Sequence, residues 1–176
     1  GVMAFARLAG NALPFISGHG GYVLQRTPYA AEESGSLAFG LAMRYPGLDI
    51  ECSDDAVYGI KPDGIKGVGW LTFLCEAQLQ RLGGRQALAA GLPAEVELED
   101  LGGGLLLRAG PRPELGDRNR RRWLPLQQAI YRRLRPLQRP MLEGLVPFAQ
   151  DDDDADEEAL TETWLRRFDP PEEEPG

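Results

Sequence analysis

Histidine occurs once in this chain, as His19, and cysteine twice, as Cys52 and Cys75. A single histidine cannot supply the His pair of a zinc site. Two cysteines outside any Cys-x-x-Cys spacing make neither a metal knuckle nor a disulfide framework. So few thiols fit a reducing compartment. Lysine is scarce too, with Lys61 and Lys66 alone, so nearly all positive charge is guanidinium. Arginines, glycines, prolines or acids interrupt every apolar stretch before it reaches the length of a membrane-spanning helix. The opening Gly1 to Leu8 lacks a basic segment followed by an unbroken apolar run, so it does not read as a secretory signal. These absences predict a soluble, cytoplasmic protein. No Gly-x-Ser-x-Gly elbow occurs. Gly102-Gly103-Gly104 lacks a following Gly-Lys-Ser/Thr and precedes a strand pattern, where a phosphate-cradling loop opens a helix. Neither an enzyme nor a cofactor nor a bound metal is expected.

What is present is acid, unevenly placed. The formal charge is −8. Residues 151–176 hold twelve acids against Arg166 and Arg167, a balance of −10, which leaves residues 1–150 at +2. The organisation this predicts is a body over residues 1–140 and an acidic tail over 141–176. Asp151 to Asp154 offer oxygen ligands, but the glycine and closing glutamate of a calcium loop are missing at their spacing. A segment of this kind repels nucleic acid and attracts basic partners.

Apolar residues at Val2, Phe5, Leu8, Ala9, Ala12, Leu13 and Ile16 have helical spacing and predict a core helix. Because the numbering opens without Met inside that pattern, part of the natural chain is expected to be missing. Gly18 to Gly21 break the helix, and Tyr22 to Leu24 read as a strand. A second helix is expected over Leu37 to Tyr45, then loop between Pro46 and Gly67 with an extended piece at Ala56 to Ile60. Val68 to Phe73 is the best buried strand, passing into a helix near Thr72 that Gly83-Gly84 ends. A short helix over Arg85 to Leu92 follows. Glu95 to Leu101 and Leu105 to Ala109 form a hairpin across the three glycines, and a last body helix spans Leu124 to Leu137. The fold class is therefore α+β, a mainly antiparallel sheet packed by helices with an acidic C-terminal tail. Within the tail, Leu160, Trp164, Leu165 and Phe168 have the spacing of a short docking helix, with Trp164 and Phe168 as its anchors.

His19 between glycines reads as a surface-turn residue before it reads as a general base. Asp49, Glu51, Asp54, Asp55 and Asp63 form an acidic loop suited to solvent or an interface rather than to paired-carboxylate catalysis. Arg118, Arg120, Arg121 and Arg122, then Arg132, Arg133, Arg135 and Arg139, make the body's basic stretch. It has two readings: a clasp for the acidic tail, or a row that tracks phosphates with the tail as autoinhibitor.

Arg44-Tyr45-Pro46-Gly47-Leu48-Asp49-Ile50, Gly64 to Leu74 and Leu82-Gly83-Gly84 form one block, and Gly103 to Asn119 a second in the same order. Together they resemble the bacterial type VI secretion immunity proteins that partner VRR-NUC and related nuclease toxins. The resemblance covers about residues 1–139, the later part of the family domain. It implies that the chain binds a cognate secreted toxin in the producing cell and blocks it, in the manner of an effector inhibitor in bacterial competition. It carries no catalytic residues. The matched glycines and prolines, with Trp70 and Phe73, read as scaffold, and so does the loop from Pro111 to Asn119. Toxin contact is expected in the acidic loop, with Tyr58 as anchor and Asp54, Asp55 and Asp63 facing basic groups that a nuclease uses for phosphates. The other reading is a nucleic-acid-associated protein using residues 118–139. If the tail clasps the arginines, raised salt expands the protein's hydrodynamic radius, measured by size-exclusion chromatography. A radius indifferent both to salt and to deletion of residues 151–176 contradicts the clasp.

Overall fold

The computed structural model describes residues 1–24, 31–50, 64–138 and 157–169. Its centre is the hairpin of β5 (Val96–Leu101) and β6 (Gly104–Ala109), paired with Val96 opposite Ala109 and Leu101 opposite Gly104. β4 (Leu71–Cys75) lies antiparallel on the other side of β6, and β1 (Ser17–Gly20) antiparallel beyond β4, giving the order β1-β4-β6-β5. Leu105, Leu106 and Leu107 are all buried. Successive strand residues point to opposite faces, so this unbroken apolar run means that both faces are covered.

Register assigns the faces. Phe73, Leu106 and Glu99 share one, and Thr72, Leu107 and Leu98 share the other. On the first lies α1 (Val2–Ala12), tied by an Arg7–Glu99 ion pair at 2.7 Å and by Gly102 N–H donating to Asn11 Oδ1 at 2.9 Å. The second face carries α3 (Glu76–Arg81) and α4 (Gly84–Ala89), the latter tied by an Arg85–Asp100 ion pair. Leu79 and Leu88 of these helices, with Ile130 and Leu134 of α5 (Pro125–Leu134), enter the same core as Leu74, Leu105 and Leu107. Each such side chain contributes about 1.5–3 kcal/mol by leaving water.

A smaller unit stands beside the sheet. β2 (Tyr22–Leu24) pairs in parallel with β3 (Leu48–Ile50), α2 (Ala31–Arg44) leads into β3, and α6 (Glu157–Leu165) packs against both α2 and β3. Ala42, Ile50, Trp164 and Leu165 form its core. The α+β class and antiparallel sheet agree with the sequence reading, with one parallel pair added.

Four expectations are corrected. The change from strand to helix falls at Cys75 and Glu76, not near Thr72: Gln78 reaches back to cap the helix start, its Oε1 accepting from Cys75 N–H at 3.2 Å. Gly18 to Gly20, read as a helix breaker alone, belong to a strand, in which Gly18 and Gly20 leave room for Phe73 and Leu71. Leu48–Ile50, read as loop, is β3. The first helix is present, but its large residues are not core: Phe5 is 71% and Leu8 68% exposed. It lies on the sheet through Ala6 and Gly10, and a Cβ at Gly10 would meet Leu101 Cδ1 at 2.5 Å. The stripe of small residues allows the close approach, so the stripe of large ones faces outward.

Gly104 starts β6 with its α-carbon against the neighbouring strand. A Cβ there would sit 2.0 Å from the Leu74 carbonyl oxygen and 2.9 Å from Cys75 Cα. Backbone in a central strand cannot yield as a side-chain tip can. Gly104→Ala is expected to destabilise the protein by about 2 kcal/mol or more, read as a fall in the urea midpoint. An unchanged midpoint would mean that the hairpin relaxes freely.

Candidate functional site

A chain with two lysines uses one of them inside. Lys66 is buried, and its Nζ lies 3.1 Å from Asp49 Oδ1 and 3.2 Å from Oδ2. It also donates to the Ile50 carbonyl. Asp49 sits in β3 beside β2, Val23 being its partner in register, and its Oδ1 accepts from Ile50 N–H at 3.0 Å. The same carboxylate receives His19 Nε2 from β1. Burial pushes the Asp49 carboxyl up, but His19, through its charge and hydrogen bond, and then Lys66 and Arg167 overcome this and hold it well below the usual carboxylate range.

Arg167 completes the cluster. It is buried, with Nε donating to Pro46 O at 3.1 Å and the terminal nitrogens to Trp164 O at 3.3 Å and Val68 O at 3.5 Å. Its guanidinium lies 3.8 Å from the Trp164 ring centroid and 4.7 Å from that of Phe168. Burial pulls it down to about 10, with Asp49 opposing, so it stays charged at neutral pH. Trp164 is fully buried, with Lys66 Nζ 5.5 Å from its ring, and Phe168 packs beside Tyr131 at 5.9 Å. Arg118 donates to Arg167 O, joining the end of α6 to the body a second time. A small cavity of about 250 Å³ opens beside the cluster, lined by His19, Gly20, Gly21, Asp49, Gly69 and Arg167 among others.

This cluster closes a stem. Asp54, Asp55, Tyr58 and Asp63, the expected toxin contacts, fall within 51–63 and lie outside the described residues. The residues that flank them are described. Lys66 joins Asp49 and Ile50 on one side to its own side of the gap, where Gly64 O accepts from Gln78 Nε2 at 2.8 Å and Ile65 N–H donates to Leu137 O at 3.1 Å. Trp164 and Phe168 are at the far end of the same packing. Sequence reasoning missed Lys66 and Arg167. It also placed Asp49 in a solvated loop and His19 on a surface turn, whereas one is buried and the other is paired to it from a strand. The available signals were a lone lysine amid Ile65, Gly67 and Val68, and an arginine between Trp164 and Phe168.

The two sequence blocks meet in space. Gly47 N–H donates to Leu115 O at 2.9 Å, and a Cβ at Gly47 would lie 2.0 Å from the Glu114 carbonyl oxygen. Gly116 takes a left-handed conformation, φ 68°, under Pro46 and Leu124. Trp70 Nε1 donates to Gly110 O at 2.9 Å. Arg44 meets Asp117 at 3.3 and 3.4 Å and stacks on Tyr45 at 4.9 Å. Chiefly the Arg44 hydrogen bond holds the Asp117 carboxyl below its usual range. Asp117 also accepts from Asn119 N–H at 3.1 Å. Between the blocks opens a cleft of about 640 Å³. The loop expected as scaffold is thus also its wall.

The arginines of 118–138 serve separate purposes. Arg118 holds α6, Arg120 approaches Asp117 at 3.7 Å, and Arg133 donates to Ala87 O. The Asp151 to Asp154 run lies outside the described residues. Among the described residues no His, Cys, Asp or Glu group is placed to hold a metal ion, and no helix is long and apolar enough to cross a membrane.

A family model described as type VI immunity for VRR-NUC, TsiV, matches residues 2–168. The match runs past the two blocks to Phe168 and includes α6. Among solved structures the chain is similar to the Pseudomonas aeruginosa T6SS protein PA0821, at 22% identity and a TM-score of 0.69. That likeness covers 89% of this chain and 44% of the other, so the chain spans less than half of that protein's length. No curated protein matches it.

Because the Asp49 carboxyl is depressed in the folded state, the stability it supplies is present above its unfolded value of about 3.9 and is lost as pH falls through that value toward the folded one. Asp49→Asn leaves Lys66 and Arg167 buried without their counter-charge, an expected loss of about 3 kcal/mol or more at neutral pH. Urea midpoints should show the gap to the unsubstituted chain narrowing below about pH 4. A gap indifferent to pH contradicts the role given to this carboxylate.

Proposed function

The chain belongs to the TsiV family of type VI immunity proteins for VRR-NUC, and we propose that it binds a cognate secreted toxin of nuclease type in the cytoplasm of the producing cell and neutralises it by contact, without catalysis of its own. The match over residues 2–168 carries this reading. The contact we assign to Asp54, Asp55, Tyr58 and Asp63 is supported by the stem. Residues on both sides of 51–63 are fixed to one another through Lys66 and to the core through Ile50 and Ile65. A segment held at both ends loses less freedom on binding than a free one, so more of its interaction energy appears as affinity. Three carboxylates beside a tyrosine are complementary to a surface that binds phosphates.

Trp164 and Phe168 act from behind, as the docking residues of the tail. They cover Lys66 and Arg167, and through these the stem. Inhibition then depends on the C-terminal helix without that helix touching the toxin.

The test is co-purification with the toxin encoded beside this chain's gene, followed by protection of DNA from that toxin. The chain is expected to be retained by it and to abolish cleavage. Reversal of charge by Asp54→Lys, Asp55→Lys and Asp63→Lys is expected to weaken binding at least about tenfold while leaving the urea midpoint unchanged. Full affinity in the triple variant would move the contact elsewhere. No retention of the unsubstituted chain would remove the immunity reading.

A further inference from the structure

The cleft between the two blocks is built like a binding surface. Four guanidiniums surround it, those of Arg44, Arg112, Arg120 and Arg122, against the carboxylates of Glu114 and Asp117. Asp117 is committed to Arg44, with Arg120 at the limit of contact. Arg112 and Arg122 are exposed and make no ion pair among the described residues. Tyr22 and Trp123 stand at the rim, 46% and 36% exposed. Tyrosine, tryptophan and arginine around a concavity make the composition of interface hot spots, because each offers a large contact area with a polar handle at modest entropic cost. The volume of about 640 Å³ accommodates several side chains.

We propose that this cleft is the docking site for an acidic, aromatic-bearing peptide segment of the partner toxin, received by Arg112 and Arg122 and packed against Trp123 and Tyr22. The proposal rests on the immunity reading above and adds to it a second contact of opposite charge. Charge complementarity decides the class of occupant. The excess of guanidinium calls for an anion, while the carboxylates of Glu114 and Asp117 in the wall interrupt the positive row that the unbroken charges of a nucleic acid would need. Position supports it too. Tyr22 is in register with Leu48 of β3, and Gly47 touches the Glu114 carbonyl. The cleft therefore adjoins β3, the strand that precedes residues 51–63.

The experiment is fluorescence anisotropy with the full chain and a fluorescein-labelled peptide of glutamate and phenylalanine. Oligothymidylate serves as competitor. The peptide is expected to bind, to weaken at least about tenfold with the exposed pair Arg112→Glu and Arg122→Glu, and to weaken likewise with Trp123→Ala. The two arginine substitutions should leave the thermal midpoint unchanged. Equal binding by the Arg112→Glu, Arg122→Glu variant overturns the proposal, as does absence of binding. Displacement by oligothymidylate would make the cleft a nucleic-acid site. A fourth arm neutralises Asp151, Asp152, Asp153 and Asp154 to Asn: peptide binding that appears only then makes the chain's own acidic run the occupant and overturns the assignment to a partner. The co-purified toxin separates the two readings. A toxin that the unsubstituted chain does not retain defeats immunity, whereas a toxin retained equally by the Arg112→Glu, Arg122→Glu variant defeats only the cleft.

Discussion

A guanidinium taken out of water costs several kcal/mol unless its charge and its donors are matched, and the matching of Arg167 organises this protein. Its acceptors come from Pro46, Val68 and Trp164, three points far apart in the chain, and its faces are covered by Trp164 and Phe168. Asp49 supplies the counter-charge from β3, which it shares with Lys66, and it also accepts a hydrogen bond from His19. One side chain thus fixes the C-terminal helix, the entry to β3 and the approach to β4 relative to one another. Ordinary apolar packing would hold these pieces together, but it would tolerate sliding. A buried charge with directional partners does not.

The consequence is a division of labour. The antiparallel sheet and its helices bury the leucines and could do so for any function. The smaller unit of β2, β3, α2 and α6 brings the two sequence blocks into contact and supplies Tyr22 and Arg44 to the cleft. The carboxylates assigned to the stem and the arginines of the cleft have opposite signs. Under the two proposed contacts a partner presents both a basic patch and an acidic segment, which is a stronger demand than either alone.

The elements with a strong local signal were legible: the hairpin across three glycines, the helix within Leu124 to Leu137 and a short helix around Trp164. What failed had a physical reason in each case. Periodicity in Val2 to Ile16 reveals a stripe but not which stripe is buried, and close approach through Ala6 and Gly10 reversed the expected face. Glycines in β1 look like a break because sequence cannot show that Phe73 and Leu71 fill the room they leave. Asp49 looked solvated because its burial depends on Lys66, Arg167 and His19, which are 17, 118 and 30 residues away in the chain. The glycines and prolines of the two blocks were read as scaffold. That they touch one another, and leave a charged hollow where they touch, is a fact of tertiary structure alone.

Lys66 gives the stem one more property. Lys66 holds Asp49 and Ile50, and Gly64 holds Gln78, through hydrogen bonds that lie wholly within the described residues. Under the contact proposed for 51–63, Asp49, Lys66 and Arg167 would supply the frame and leave recognition to other side chains.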